Sequence, residues 1–136
     1  MSKNINALVL LLLLLLLASC STGGRAGYTA EQQTVDGVTI KLEKPDQLAL
    51  LQNYELFVTL TDAAGQPIDG ATVFMEQDMA AMPMTANQPL GDPLGKGQYK
   101  ITGVFSMDGT WKLVVHATIA GKDHAATFQQ VVAPQG

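Results

Sequence analysis

The chain has 136 residues and a formal net charge of −4. A mildly acidic protein is a poor partner for nucleic acid or for an anionic lipid surface, because both carry negative charge. The chain contains one cysteine, Cys20, and therefore cannot form an internal disulfide. The fold must rest on its hydrophobic core, and about 100 ordered residues are enough for one small domain.

The first segment has the pattern of a secretory signal. Lys3 provides a positive charge, and residues 7–18 form an unbroken apolar run. A helix needs about 20 apolar residues to cross a bilayer, so this shorter run predicts a signal peptide rather than a membrane span. Residues 17–20 read LASC, with small residues before a cysteine, and this motif resembles a bacterial lipobox.

The lipobox resemblance implies that the signal, residues 1–19, is removed and that Cys20 is acylated. The alternative is an ordinary signal peptide with an incidental cysteine, but a lone free thiol is a liability in an oxidising compartment. Loss of Lys3 with the signal changes the net charge from −4 to −5. We therefore expect a lipid-anchored protein of the bacterial cell envelope. Ser21, in Gram-negative sorting, favours the outer membrane facing the periplasm.

The remainder divides into a tether and one β-rich domain. Residues 20–33 are small, polar and glycine-rich, which predicts a flexible tether, and residues 34–136 are predicted to form the domain. Short segments with apolar and polar alternation predict strands. These segments are VTIKLE at 38–43, NYELFVTLT at 53–61, ATVFMEQ at 71–77, QYKITGVF at 98–105, TWKLVVHAT at 110–118 and HAATFQQVV at 124–132.

Three intervening segments are less regular. Residues 47–51 fit either a short strand or one turn of helix. Residues 78–97 are predicted to be a long irregular loop, because they contain three prolines and three glycines. Asp108-Gly109 is predicted to be a tight hairpin turn.

Six to eight short strands without a long helix predict an all-β, immunoglobulin-like antiparallel β-sandwich. A small barrel is the alternative, since strand number alone does not separate the two. Trp111 is expected to fill the centre of the core, because aromatic side chains bury the most area.

The turn and strand residues also occur in a characteristic order. The pattern consists of Asp62-x-x-Gly65-x-Pro67, Asp69-Gly70-Ala71-x-Val73, the methionine-rich segment, Gly97-x-Tyr99 and Met107-x-Gly109-x-Trp111-x-Leu113-x-Val115. This order resembles the YtkA-like and FixH-like domains of bacterial envelope proteins over about residues 38–132. The resemblance implies an immunoglobulin-like sandwich outside the cytoplasm. Some relatives lie near copper-handling or cytochrome-oxidase assembly systems, and FixH-type proteins carry a membrane helix in place of the lipid anchor predicted here.

A methionine cluster is the sharpest candidate site. Residues 76–85 read EQDMAAMPMT and place Met79, Met82 and Met84 close together in the chain, with Pro83 favouring a loop. Thioether sulfur is a soft donor that suits Cu(I), so the three side chains are candidate copper ligands. The alternatives are that methionine fills gaps in the core, or that the loop forms a contact surface for an envelope protein partner.

Two histidines are candidate supplementary ligands. His116 is expected to point outward from its strand, and His124 follows the last turn. A four-residue loop at 120–123 would place His116 opposite Thr127. A three-residue loop at 119–121 would place the two histidines opposite each other.

Catalytic motifs are absent from the sequence. It contains no Gly-x-Ser-x-Gly elbow, no His-x-x-x-His pair, no phosphate loop and no EF-hand spacing. Asp62, Asp69 and Asp108 occur at turns, where they cap backbone groups. We therefore predict a non-enzymatic, lipid-anchored envelope binding domain, with copper handling by the methionine loop as its most specific version. The alternative is a structural or protein–protein interaction module without a metal.

Overall fold

The computed structural model describes residues 23–80 and 87–135, and in this part of the chain all regular structure is β-strand. No helix there is long and apolar enough to cross a membrane. The predicted signal, residues 1–19, lies outside the described residues, as does Cys20. The strands are β1 (Tyr28–Val35), β2 (Val38–Pro45), β3 (Asn53–Thr61), β4 (Thr72–Asp78), β5 (Gly91–Gly95), β6 (Gln98–Val104), β7 (Gly109–Ile119) and β8 (Lys122–Val132).

The strands form two antiparallel sheets that pack face to face. One sheet has the order β1-β2-β3-β6-β5, and the other has the order β4-β7-β8. The predicted all-β, immunoglobulin-like sandwich is therefore confirmed, and the eight strands agree with the predicted six to eight.

The core lies between the inner faces of the two sheets. Because successive side chains of a strand point to opposite faces, every second residue enters the core. The inward residues agree with the faces predicted from the sequence. They include Tyr54, Leu56, Val58 and Leu60 of β3, Tyr99 and Ile101 of β6, and Trp111, Leu113, Val115 and Ala117 of β7.

Strand β1 corrects the predicted tether. The tether was expected to extend through Gln33, but β1 begins at Tyr28 and pairs with β2 along its whole length, with Tyr28 opposite Pro45. The six residues between the ends of β1 are exposed, so the strand has no apolar alternation. Backbone pairing along a sheet edge holds it in place, and such pairing leaves no hydrophobic signal in the sequence.

The chain just before β1 covers a buried aromatic residue on the outer face of the larger sheet. Phe57 lies on that face and is nevertheless buried. The guanidinium of Arg25 lies 3.5 Å from the centre of its ring, and the ring of Tyr28 packs edge-on at 5.7 Å. The Arg25 amide also donates a hydrogen bond to the Glu43 carboxylate at 3.3 Å. These contacts fix the position at which the chain reaches the domain.

The segment around Asp108-Gly109 is not a hairpin. Strand β6 belongs to the five-stranded sheet and β7 to the three-stranded sheet, so the chain crosses from one sheet to the other at 105–108. Gly109 has a φ of 120°, a positive value that favours glycine, so the Asp-Gly pair correctly indicated an unusual local backbone. A dipeptide carries no information about which sheet the next strand joins.

The long segment 78–97 contains one more strand than predicted. Strand β5 pairs with β6 at the edge of the larger sheet, where Pro93 leaves no hydrogen-bond donor unsatisfied. Just before β5, the Met75 amide donates to the Pro89 carbonyl at 3.0 Å, and Leu90 bridges to Phe74. The chain therefore pairs briefly with one sheet before it joins the other.

Polar side chains close the opposite edge of the sandwich, between β1 and β8. The side-chain amide of Gln33 donates through its nitrogen to the Thr127 backbone carbonyl at 2.5 Å. Its oxygen accepts from the Thr127 backbone N–H at 3.3 Å, so the side chain pairs with β8 as a neighbouring strand would. The ammonium of Lys44 donates to Glu31 at 2.6 Å and to the Gln129 carbonyl at 2.5 Å. These contacts cover the free edge of β8, which would otherwise be open to pairing with another chain.

One polar contact connects the two sheets inside the core. The side-chain amide of Gln77 in β4 donates a hydrogen bond to the hydroxyl of Tyr54 in β3, and both residues are buried. Gly103 leaves room for this tyrosine, since a Cβ there would lie 2.4 Å from the hydroxyl oxygen. Burial raises the pKa of Tyr54 to about 12, although the hydrogen bond from Gln77 acts in the opposite direction. Tyr54 therefore remains a neutral phenol at any ordinary pH.

We expect Tyr54→Phe to destabilise the domain by about 1–3 kcal/mol, because the Gln77 amide then loses its acceptor inside the core. Urea unfolding followed by tryptophan fluorescence measures this change. The matched control is Tyr54→Phe combined with Gln77→Leu, which removes both polar partners and should recover most of the loss. A single variant as stable as the parent would show that the contact contributes nothing.

Candidate functional site

Four chain segments converge at one end of the sandwich, which we call the loop end: 46–52, 79–80, 105–108 and 133–135. The Leu51 amide donates to the Phe105 carbonyl at 3.0 Å, and the Ala133 amide donates to the Leu48 carbonyl at 3.2 Å. Ala49 and Ala133 also form a parallel β-bridge, so residues 47–51 are a bridge and a turn. Loops carried together by a rigid sandwich are the usual place for binding residues.

Trp111 lies directly beneath the loop end. It is buried, as predicted, and its indole N–H donates to the Met107 carbonyl at 3.0 Å. Its ring packs against Phe105 at 5.2 Å, and Phe105 in turn stacks on Tyr54 at 4.7 Å. This aromatic row gives the loop end a rigid base, because each ring is held by a neighbour or by a hydrogen bond.

Met79 packs into the base of the loop end. It is 7% exposed and belongs to the hydrophobic core. Its methyl carbon lies so close to Gly109 that a Cβ at that position would approach within 2.9 Å. The other two candidate ligands, Met82 and Met84, lie outside the described residues. Of the three methionines, the one described uses its side chain for packing.

Met79 and Trp111 also line an open depression of about 610 Å³. Asp108, Lys112 and Gln129 are among the other residues that line it. Concave apolar surfaces with a few polar groups are the usual form of a binding site. Ala80 also lines this depression and is the last described residue before the segment that contains Met82 and Met84.

The last hairpin has a shorter turn than either predicted version. Ile119 pairs with Lys122, which leaves a two-residue turn of Ala120 and Gly121. Both turn residues have positive φ, at 49° and 80°, as a type I′ turn requires. The predicted four-residue and three-residue loops were therefore both wrong. In the observed register the two histidines lie on opposite faces of the sheet, since His116 faces Ala125 and His124 faces Ala117.

His116 lies on the outer face, as predicted, but between two carboxylates. Its Nδ1–H donates to Asp123 at 2.8 Å, and its Nε2 lies 3.7 Å from a carboxylate oxygen of Glu76. The His116 ring stacks flat on the ring of Phe74, with centroids 4.4 Å apart. The side-chain amide of Gln88 donates a hydrogen bond to the Glu76 carboxylate at 3.0 Å. Sequence reasoning missed these acids because Asp123 is placed by the register of the β7–β8 turn and Glu76 by the pairing of β4 with β7.

His124 points inward and is buried. Its Nδ1–H donates to the Val35 carbonyl at 3.3 Å, which joins β8 to the end of β1. From the strand register, His124 lies about 20 Å and His116 about 17 Å along the strands from Met79. The structure therefore brings neither histidine to Met79. Within residues 23–80 and 87–135, no three His, Cys, Asp or Glu side chains form a metal-binding group.

The sequence profile of the YtkA-like family matches residues 32–116, which is more than half of the chain. The chain belongs to the YtkA-like family. The match begins within β1 and ends at His116 within β7, so β8 completes the smaller sheet beyond it. No curated protein matches the sequence.

This YtkA-like domain is also similar to a solved structure, the PKD domain from the human VPS10 domain-containing receptor SorCS2. The similarity has a TM-score of 0.41 at 10% identity and covers 88% of this chain and 90% of the other. A YtkA-like domain with an immunoglobulin-type fold indicates a structural or interaction module, in which a sandwich presents loops to other molecules.

If Met79 acts by packing, we expect Met79→Leu to change stability by less than about 1.5 kcal/mol, because leucine nearly conserves volume. Met79→Ala should cost about 2–5 kcal/mol, because it leaves a cavity between Gly109 and Trp111. Chemical unfolding of both variants measures the difference. Equal stability of the alanine variant and the parent would contradict the packing role.

Proposed function

We propose that this YtkA-like protein is a non-enzymatic, lipid-anchored interaction module of the bacterial envelope. The loop end carries this proposal, because four chain segments and an open depression meet there on a rigid aromatic base. The partner is an envelope protein rather than a nucleic acid, since the mature chain has an acidic balance.

The anchor is Cys20, the one cysteine of the chain, at the end of the LASC motif. Each buried methylene of an acyl chain contributes about 0.8 kcal/mol to membrane binding, so two or more chains hold a protein stably. Ser21 favours placement on the outer membrane, facing the periplasm, if the cell is Gram-negative. The domain then stays at the membrane surface without a spanning helix.

We expect radiolabelled palmitate to be incorporated into the parent protein in growing cells and not into Cys20→Ala. The physical reason is that the thioether forms on the sulfur of Cys20, which alanine lacks. Ser21→Ala, with the cysteine intact, is the matched control and should be labelled. Equal labelling of Cys20→Ala and the parent would refute the anchor.

A soft-metal role is the second candidate for the loop end. Three thioethers at Met79, Met82 and Met84 form a donor set that suits Cu(I). Met79, the one of the three that the structure describes, is a poor copper ligand in this position, because its side chain is buried against Gly109. Copper binding through Met79 would withdraw its side chain from the core, whereas partner binding by the loop would not. The interaction module is therefore the preferred function.

Titration of the reduced protein with Cu(I), against a competing chelator, separates the two functions. The test variant replaces Met79, Met82 and Met84 with leucine, and the matched control replaces Met75 and Met107. For an interaction module we expect neither the parent nor either variant to compete for Cu(I). A parent that binds Cu(I), with binding lost only in the loop variant, would establish the soft-metal function instead.

A further inference from the structure

The chain reaches the domain at the loop end. The Asp46 amide donates to the Gly27 carbonyl at 2.9 Å, and the Tyr28 amide donates to the Arg25 carbonyl at 3.1 Å. Arg25 itself lies over the ring of Phe57. Residues 25–27 are therefore held against segment 46–52, which belongs to the loop end.

The distance from the proposed anchor to this point is short. Four residues lie between Cys20 and Arg25, so five steps along the chain join the two. A fully extended chain advances at most about 3.6 Å per residue, so Arg25 lies within about 18 Å of the acylated cysteine. The sandwich is longer than this, since the 11 residues of β8 extend about 36 Å. The domain therefore cannot stand on its opposite end, because that orientation would place Arg25 about 36 Å from the membrane.

Leu51, at the loop end, has two features that folding alone does not explain. Its φ is 60°, a left-handed conformation that is unusual for a bulky residue, and its side chain is 62% exposed. Glycine or asparagine would suit this backbone better, and a polar side chain would suit the exposure. A residue that satisfies neither local rule is best explained by a contact outside the chain.

Val131 adds a second exposed apolar side chain at the same end. It is 66% exposed, on the outer face of β8, and it lines a shallow depression of about 780 Å³. Gln52, the next residue after Leu51, lines the same depression together with Ala49 and Ala133. Asp46, Gln47 and Leu48 complete its lining, and Leu51 itself does not belong to it. Leu51 and Val131 are therefore two exposed apolar side chains at the same end of the sandwich, and we call the two together the loop-end patch.

We propose that the loop-end patch rests on the bilayer that holds the anchor, with Leu51 and Val131 in contact with lipid. This inference rests on the acylation of Cys20 proposed above. The contact is apolar, which agrees with the acidic balance of the chain. Two side chains bind a membrane weakly, but a short tether gives the patch an effective concentration in the millimolar range at the surface.

The test uses the full-length chain, acylated in the cell, purified and reconstituted into vesicles of zwitterionic phosphatidylcholine. A spin label is attached at Gln52→Cys, and a matched label is attached at Ala64→Cys in the exposed turn at the opposite end. The new cysteine is the one free thiol, because acylation blocks Cys20. Power saturation then measures contact of each label with membrane-dissolved oxygen and with a water-soluble nickel chelate.

We expect the ratio of oxygen to nickel contact to be at least about threefold higher at position 52 than at 64, because the two ends lie about 36 Å apart. Leu51→Asp with Val131→Asp should abolish this difference, because charged side chains leave the lipid. Leu94→Asp, which changes an exposed leucine of β5, should preserve it.

Two results would overturn the inference while leaving the anchor intact: equal ratios at both positions in protein whose mass includes the lipid, or dipolar broadening between labels at position 52. The second result would show that another copy of the chain covers the patch. Absence of the lipid mass, with the protein free in solution, would overturn the anchor and the inference together.

Discussion

The packing of two sheets against one shared core is the interaction on which the rest of this structure depends. The three-stranded sheet cannot bury its inner face unless the larger sheet covers it, because an isolated small sheet is only marginally stable. Tyr54 and Gln77 form their hydrogen bond across this interface, and the row of Tyr54, Phe105 and Trp111 extends it to the loop end. The connection at 105–108 exists because the chain has to pass from one sheet to the other.

The same connection determines where function can lie. The crossing at 105–108, the segment after β2, the start of the methionine loop and the last residues all meet at one end of the sandwich. The chain also reaches the domain at this end, only five residues after Cys20. An interaction module built in this way would meet its partner at the membrane surface. Met79 packs into this base, and the two histidines make their contacts on strands far from it.

Particular residues show how far sequence reasoning extended and why it stopped. Alternation identified the inward faces of β3, β6 and β7, because a strand that buries one face must repeat with a period of two. Strand β1 was interpreted as tether because edge pairing through backbone groups requires no apolar residues. Asp123 lies beside His116 because of a two-residue turn, and Glu76 because of the register between β4 and β7. A shift of one residue in either register moves every side chain of the strand to the other face.

The sequence by itself determined the fold class, the family and the hydrophobic core, because these follow from apolar period and from turn residues that act locally. It also contains the LASC motif that motivates the proposed anchor. Only the tertiary structure decided that Met79 is a core residue, that the histidines are separated, and that Leu51 and Val131 are both exposed at the end where the chain enters the domain. These features join residues far apart in the chain, and their positions follow from sheet order and register, which no local pattern encodes.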